Sequence, residues 1–341
     1  VSAYKNQGRG GKGMVSAKLT EDDFVEQIFV ASTHEYIVFI SSSGKAYCMK
    51  VHELPEGSRT SKGTHIKSLL TISSDEEITA IVSFKDFGGD DGQGPYLFMG
   101  TARGVVKKVK TSEFANARTR GIIAIRLDDG DRLVSALLTG GTDGIVLISR
   151  KGQALRTHED HVRSMGRSSR GISGMKLGSD DELAGLLRVD GEEKMLILSE
   201  YGFGKRVEFD EFSSHGRGTG GQKIYTVSEK TGEIVGCVNV LDGEEIMCIT
   251  SQGKSIKLKV KAVPVMGRAA RGVRILSIDK PDFVIGVDRI VQEDKVYTEQ
   301  DAGNSGADAE PVPAEDEKEP PDTENQGDLF GEDGGEVETT D

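Results

Sequence analysis

The chain contains no tryptophan, only 8 prolines and 3 cysteines in 341 residues, and aromatic side chains make up just 6% of it. Together with 44 glycines, this scarcity of large rings favours many short strands and turns over long helices. No stretch approaches the roughly 18 apolar residues needed to span a bilayer, and the amino terminus has no charged-then-apolar secretion signal. Cys48, Cys237 and Cys248 are an odd set without paired metal-ligand spacing, which argues against a disulfide scaffold or zinc site and for a reduced, cytoplasmic protein. They read as core residues of strands. Hydrophobic residues make up 36% of the chain, enough for a substantial core at this length.

Catalytic motifs are also missing. There is no Walker loop, nucleophile elbow or paired catalytic carboxylate, and nothing marks any of the 7 tyrosines as a nucleophile. The run His158-Glu159-Asp160-His161 has the residue types of a metal site, but no further Cys or His lies near it in sequence.

The formal net charge of −13 is unevenly placed. Residues 299–341 hold 16 Asp and Glu against one lysine, whereas residues 1–298 carry a net charge of +2. The expected organisation is a near-neutral folded body, 1–298, followed by an acidic tail, 299–341. With Pro311, Pro313, Pro320 and Pro321 and few apolar residues, the tail cannot bury enough surface to offset chain entropy, so disorder is expected.

What the sequence does have is a period. A basic turn ending in glycine recurs at Gly13, Gly63, Gly121, Gly171, Gly221 and Gly272, with separations of 50, 58, 50, 50 and 51 residues. Four turns read Arg-x-x-(Lys or Arg)-Gly: Arg9 with Lys12, Arg59 with Lys62, Arg167 with Arg170, and Arg268 with Arg271. Two are variants, with Arg118 and Arg120 before Gly121 and Arg217 before Gly221. A fixed period of this length marks one structural unit repeated around a ring or along a stack.

Five units open with an apolar run at 37–40, 96–99, 145–148, 195–198 and 246–249. A Ser or Thr follows each run, with a Gly three positions later, as in Ser41 and Gly44 or Thr101 and Gly104. Such spacers read as hairpin turns. The returning strand mixes apolar and cationic residues, as in Val105-Val106-Lys107-Lys108-Val109, which predicts one wet face. Beyond the basic turn come a third strand (122–127, 172–177, 273–278), an acidic turn such as Asp128-Asp129-Gly130-Asp131, and a fourth run. Four strands per roughly 50 residues predict the blades of a propeller. The 58-residue interval contains the Gly/Asp-rich segment 85–95, expected as a loop between two blades. Six basic turns face only five opening hairpins, so Val1 reads as a fragment boundary, with the opening strands of an incomplete first blade upstream.

The recurring cations suit a particular chemistry. Guanidinium and ammonium groups neutralise phosphates and release counterions whatever the base sequence. Adjacent glycines let backbone N–H groups approach phosphate oxygens. Bending duplex DNA costs on the order of a few kcal/mol per short site, so contacts spread along an arc are required. The strand cations Lys107, Lys108, Lys205, Arg206, Lys257 and Lys259 either extend this track or form a solvated outer face. The later arginines have an alternative role capping hairpins or pairing with the acidic turns.

The first turn, Gln7-Gly8-Arg9-Gly10-Gly11-Lys12-Gly13, resembles the gyrase box found in the C-terminal domain of the bacterial DNA gyrase A protein. So do Phe29-Val30-Ala31-Ser32-Thr33-His34, Tyr47-Cys48-Met49-Lys50-Val51, Gly104-Val105-Val106-Lys107-Lys108 and Val162-Arg163-Ser164-Met165-Gly166 resemble that domain. The resemblance covers residues 1–298; it departs from the family at Gly8, which usually holds Arg or Lys. It implies an all-β, six-bladed β-pinwheel that wraps double-stranded DNA around its rim. The contacts it implies are the box itself and Arg59, Lys62, Arg118, Arg120, Arg167, Arg170, Arg217, Arg268 and Arg271. In the family, wrapping makes supercoiling negative, and removing the box abolishes supercoiling while sparing other topoisomerase activity. The family's cleavage core and the gyrase B protein complete a heterotetramer that uses ATP and magnesium; neither cofactor is expected in this chain itself, nor is a membrane partner.

Two other functions compete with this one. One is the C-terminal domain of topoisomerase IV, which binds DNA without fully wrapping it; the intact first box argues against it. The other is a propeller for protein interaction whose basic turns are structural. The acidic tail reads either as a solubility tail or as a tethered competitor for the basic rim. Within it, Gln326, Asp328, Leu329 and Phe330 form the only apolar spot and resemble the peptide that docks on the replication sliding clamp.

Overall fold

A computed structural model of the chain describes residues 31–57, 63–88 and 95–290, together with the backbone of Met14 and Val15. The chain divides into a unit of residues Val1–Gln292 and a second of Glu293–Asp341. The tail and its motif (Gln326, Asp328, Leu329, Phe330) lie outside the described residues.

The first unit is an all-β, propeller-like stack of four-stranded antiparallel sheets. From inner to outer edge, blade I is Ile78–Phe84, Tyr36–Ser41, Lys45–Lys50 and Ile122–Ile123. Blade II is Leu133–Thr139, Tyr96–Thr101, Val105–Lys110 and Ile172–Ser173. Blade III is Leu183–Arg188, Gly144–Ser149, Gln153–His158 and Gln222–Lys223. Blade IV is Ile234–Val240, Lys194–Ser199, Phe203–Val207 and Val273–Arg274, and blade V is Val284–Ile290, Glu245–Thr250, Lys254–Lys259 and Met14–Val15. The inner strands pack on one another in that order.

Among the described residues there are thus five blades, not the expected six. Blades are counted by opening hairpins, of which there are five, and not by basic turns. Five of the six basic turns lead into the outermost strand of a neighbouring blade, whereas Gly63 is followed by a short helix, Ile66–Leu69. The strand after Gly121 closes blade I, that after Gly171 blade II, that after Gly221 blade III and that after Gly272 blade IV. Met14 and Val15, after Gly13, pair with Ser255 and Lys254 and close blade V.

The third strand is also shorter than expected and belongs to the neighbouring sheet. It ends after two residues because the next two N–H groups converge on one carbonyl. Ala124 and Ile125 both donate to Gly44 O (2.8 and 3.1 Å), and Gly174 and Met175 to Gly104 O (2.9 and 3.0 Å). With both N–H groups spent on a hairpin tip, the ladder cannot continue.

Hairpin strands read as continuous apolar runs because both of their faces are covered. In blade III, Val146 and Ile148 pack toward blade IV with Met195 and Ile197, while Ile145 and Leu147 pack toward blade II with Phe98 and Val106. All eight are essentially fully buried. Truncating any of the large ones would remove roughly 2–5 kcal/mol. Cys48 and Cys248 lie in this core and Cys237 at its margin, and burial pushes the thiol pKa values up to about 11 for Cys48 and about 12 for the other two.

The Ser/Thr-x-x-Gly spacer is a hydrogen-bonded turn. Thr101 O accepts from Gly104 N (2.9 Å), and Thr101 Oγ1 accepts from Val105 N (3.2 Å). Gly104 has φ +77°, and a Cβ there would lie 2.5 Å from Met175 O. In blade I, Glu76 closes the same turn, accepting from Ser43 Oγ (2.6 Å), Tyr47 Oη (2.9 Å) and Lys45 Nζ (3.3 Å). Burial alone would raise its pKa, but hydrogen bonds from Ser41, Ser43, Tyr47 and the Ser73 backbone outweigh burial and lower it to about 2. Asp282 plays this part in blade V, binding Thr250, Ser251 and the Gln252 backbone.

Gly104→Ala combines a left-handed backbone with a backbone clash, so it should destabilise the unit by roughly 1–3 kcal/mol in urea unfolding. Glu76 adds stability that is complete above the unfolded carboxyl pKa, about 4.3, and is lost as pH falls toward 2. Melts from pH 6 to 2 should therefore show a fall in Tm across that window that Glu76→Gln flattens.

Candidate nucleic-acid interface

The four described basic turns follow the same chain path, and the three ending at Gly171, Gly221 and Gly272 share its crossing hydrogen bonds. After the returning strand, a one-turn 3-10 helix (Thr111–Phe114, Glu159–His161, Phe209–Glu211, Val260–Ala262) ends the blade. The chain then crosses onto the outer edge of the preceding blade. Met165 N donates to Lys108 O, His215 N to Arg156 O and Met266 N to Arg206 O, each at 2.9 Å. The turn that follows lies directly on that blade's backbone, which explains its glycine. At Gly221 (φ +74°) a Cβ would sit 2.5 Å from Ala154 O, and at Gly272 (φ +84°) 2.6 Å from Gly204 O. A side chain would lift the turn off the strand.

Consecutive turns are also bonded to one another. Arg126 N, five residues beyond Gly121, donates to Ser169 O in the next turn (3.1 Å), and Lys176 N, five beyond Gly171, donates to Thr219 O (2.9 Å). The basic segments therefore form a continuous band along the outer edges of successive blades.

Of the residues expected to make contacts, Arg118, Arg120, Arg170, Arg217 and Arg271 are exposed on this band, and Arg167 and Arg268 are half-buried. Gln7, Gly8, Arg9, Gly10, Gly11, Lys12, Gly13, Arg59 and Lys62 lie outside the described residues. Arg118 donates to the carbonyls of Ala115 (2.9 Å) and Ala117 (2.7 Å) in its own turn. Arg217 reaches across to His161 O (3.0 Å) and Ser173 O (3.1 Å). Arg170 pairs with Asp128 of an acidic turn, an exposed ion pair of small net worth.

The band also exposes cations that sequence reasoning passed over: Arg103, Arg126, Arg163, Lys176, Lys223 and Arg274. Arg126 and Lys176 both stand five residues after a turn glycine, and Lys223 and Arg274 both stand two after, so extending the repeat past the glycine would have found them. Arg103, Arg126 and Arg170 converge on one cleft with Asp128 and Asp129.

Five of the six strand cations form neither a track nor a solvated face. Lys107, Lys108, Lys205, Arg206 and Lys257 are buried; Lys259 is exposed. Lys108 and Lys257 pair with buried Glu159 (3.6 Å) and Glu245 (2.6 Å). Arg206 donates to Val263 O (2.6 Å) and pairs with Asp242. Lys107 Nζ donates to the carbonyls of Ala124 (2.8 Å), Ser169 (2.9 Å) and Arg167, and Lys205 Nζ to those of Gly267 (2.8 Å) and Arg268 (2.7 Å). Burial pulls both pKa values down to about 8, so both remain mainly cationic at neutral pH. The expectation of a wet face fails because the returning strand is packed between neighbouring segments, with carbonyls and carboxylates solvating its charges.

The run 158–161 is likewise structural. Glu159 is fully buried and accepts from Thr139 Oγ1 (2.8 Å), Gly141 N (2.8 Å) and Asp143 N (2.6 Å). His161 Nδ1 bonds Thr157 Oγ1 (3.0 Å).

Comparison with known proteins agrees with this geometry. The family model described as DNA gyrase C-terminal domain, beta-propeller, matches residues 1–32, 35–85, 95–139, 145–190, 193–240 and 244–290. The DNA gyrase A protein of Treponema pallidum is 61% identical over 292 residues, 86% of this chain and 35% of that protein. Its counterpart from Escherichia coli is 37% identical over 86% of this chain and 33% of its own length. The chain thus spans about a third of the length of these relatives. A solved gyrase A C-terminal domain superposes with TM-score 0.75 at 30% identity, covering 85% of this chain and 94% of the other. A topoisomerase IV C-terminal domain superposes with TM-score 0.68 at 26% identity, covering 77% and 81%. With six segments of the chain matched by the family model and a solved gyrase A C-terminal domain superposing over 85% of it, the chain belongs to the DNA gyrase C-terminal domain, β-propeller family.

Proposed function

We propose that this chain binds double-stranded DNA along the basic band and bends it around the blades, as the wrapping part of a gyrase. The observation that carries this reading is the stitched series of basic turns. Backbone hydrogen bonds hold each turn on the blade before it and, in two cases, to the next turn, so the exposed cations have a fixed spacing. A pre-set arc of charge offsets the cost of bending DNA, which free side chains on mobile loops would do less well. The contacts are to phosphates, so recognition is largely independent of base sequence.

In this reading the box Gln7–Gly13 and the pair Arg59 and Lys62 contact phosphate as well. Its relatives are gyrase A proteins; accordingly we assign the chain to a cytoplasmic heterotetramer with the gyrase B protein and the cleavage core. There the wrap directs ATP- and magnesium-dependent negative supercoiling. The acidic tail, 299–341, competes with DNA for the band, and its segment Gln326–Phe330 docks on the sliding clamp. The similarity to topoisomerase IV supports a second reading in which DNA is bound but not wrapped.

Binding of a random-sequence duplex should weaken steeply with salt, each phosphate contact adding about −0.9 to the log–log slope. Replacing Arg120 and Arg271 by Ala should reduce that slope by roughly 2 while leaving Tm unchanged. A slope near zero for the parent chain would favour the protein-interaction propeller. Deleting residues 299–341 should raise affinity, and an unchanged affinity would assign the tail to solubility.

A further inference from the structure

The four described basic turns fall into two classes, and the class follows the residue beneath the turn. Counting three residues after each hairpin glycine, the returning strands carry Tyr47, Lys107, Leu155, Lys205 and Ile256 in blades I to V. The turn lying on Lys107 is 167–171 and the turn on Lys205 is 268–272. These two alone, among the described turns, keep the full Arg-x-x-Arg-Gly pattern. The turns on Tyr47 and Leu155, at 118–121 and 217–221, are the variants.

The two classes are also held differently. Where the strand offers no ammonium, the first arginine of the turn does the bracing. Arg118 binds two carbonyls of its own loop, and Arg217 binds His161 O and Ser173 O. Where a lysine lies beneath, the turn's own carbonyls face inward onto it. Apart from Arg170, which pairs with Asp128, the arginines there are little used: Arg268 makes one long bond to Lys223 O (3.4 Å), and among the described residues no bond is seen from the Arg167 or Arg271 guanidinium. In a trans peptide the N–H points opposite to the C=O. With the carbonyls of Arg167, Ser169, Gly267 and Arg268 turned inward, the N–H groups of Ser168, Arg170 and Ala269 are directed outward, while that of Arg268 donates to Glu211 Oε2 (3.4 Å). Outward N–H groups beside arginines are donors suited to an anion.

We propose that Lys107 and Lys205 are positioning residues for phosphate recognition. Each buried ammonium gathers the carbonyls of one basic turn, which releases the turn's arginines from bracing and points its peptide N–H groups at the ligand. This inference rests on the reading that the band binds DNA, and it ranks the sites: Arg167, Arg268 and Arg271 serve the phosphate, whereas Arg118 and Arg217 serve the loop.

The test uses the full chain and a fluorescent random-sequence duplex, with Lys107→Met/Lys205→Met compared with Arg167→Ala/Arg271→Ala. Both pairs should lower affinity about tenfold at moderate salt and reduce the salt slope by roughly 2. In the lysine pair alone, 15N relaxation without DNA should show increased motion at Ser168, Arg170 and Ala269. Parent-like affinity and parent-like turn order in the lysine pair would overturn the proposal. Should that pair not fold, Arg118→Ala/Arg217→Ala gives an independent test, since it should lower Tm with little change in slope. If it instead reduces the slope as much as Arg167→Ala/Arg271→Ala at unchanged Tm, the division of labour is wrong. A parent chain without salt-dependent binding would remove the DNA reading itself, a result distinct from either of these.

Discussion

The structure depends on a close backbone contact between consecutive blades: a basic turn laid flat on the outer strand of the blade before it. At Gly221 and Gly272 the approach is so close that a single Cβ would collide with a strand carbonyl. From this contact follow the exchanged outer strand, the two-residue ladder beyond it and the bond from one turn to the next. The stack cannot be built without bringing the cations to its edge, so the element that joins the blades also carries the candidate interface.

Charge is sorted into two layers by the same geometry. The returning strands bury lysines and arginines that would ordinarily be exposed, and each one is solvated by carbonyls or a carboxylate. Burying an unpaired ammonium would be prohibitive, but several inward-facing carbonyls offset much of the desolvation cost. The outer layer consists of arginines and lysines on turns, open to solvent and, in the reading proposed here, to phosphate. An exposed pair such as Arg170 with Asp128 is weak enough to be exchanged for a stronger anion.

Much of this was legible in the sequence, because the period, the hairpin glycines and the apolar runs all have local causes. The Ser/Thr-x-x-Gly spacer marked every hairpin, and the basic turns marked every crossing. Strand exchange was not legible, since nothing around Ile122 or Val273 says which sheet will take up those residues. The blade count failed for that reason: six turns were read as six units, although Met14–Val15 completes the last blade and a short helix, not an outer strand, follows Gly63. The cations of the returning strand were misplaced because alternation with apolar residues ordinarily means a wet face. Here the second face is covered by a segment some 60 residues further on, beyond the reach of local pattern reading. Arg126 and Lys176 were missed because the repeat was followed only as far as its glycine.

The central claim is that the band holds DNA along a chiral arc rather than at scattered points. The most direct measurement is the linking-number change when a nicked circle is sealed by ligase with the full chain bound and then stripped of protein. The account predicts a shift of one sign that grows with protein concentration up to saturation and is reduced in Arg167→Ala/Arg271→Ala. Topoisomers centred on the protein-free distribution, at concentrations where the chain demonstrably occupies the DNA, would contradict it.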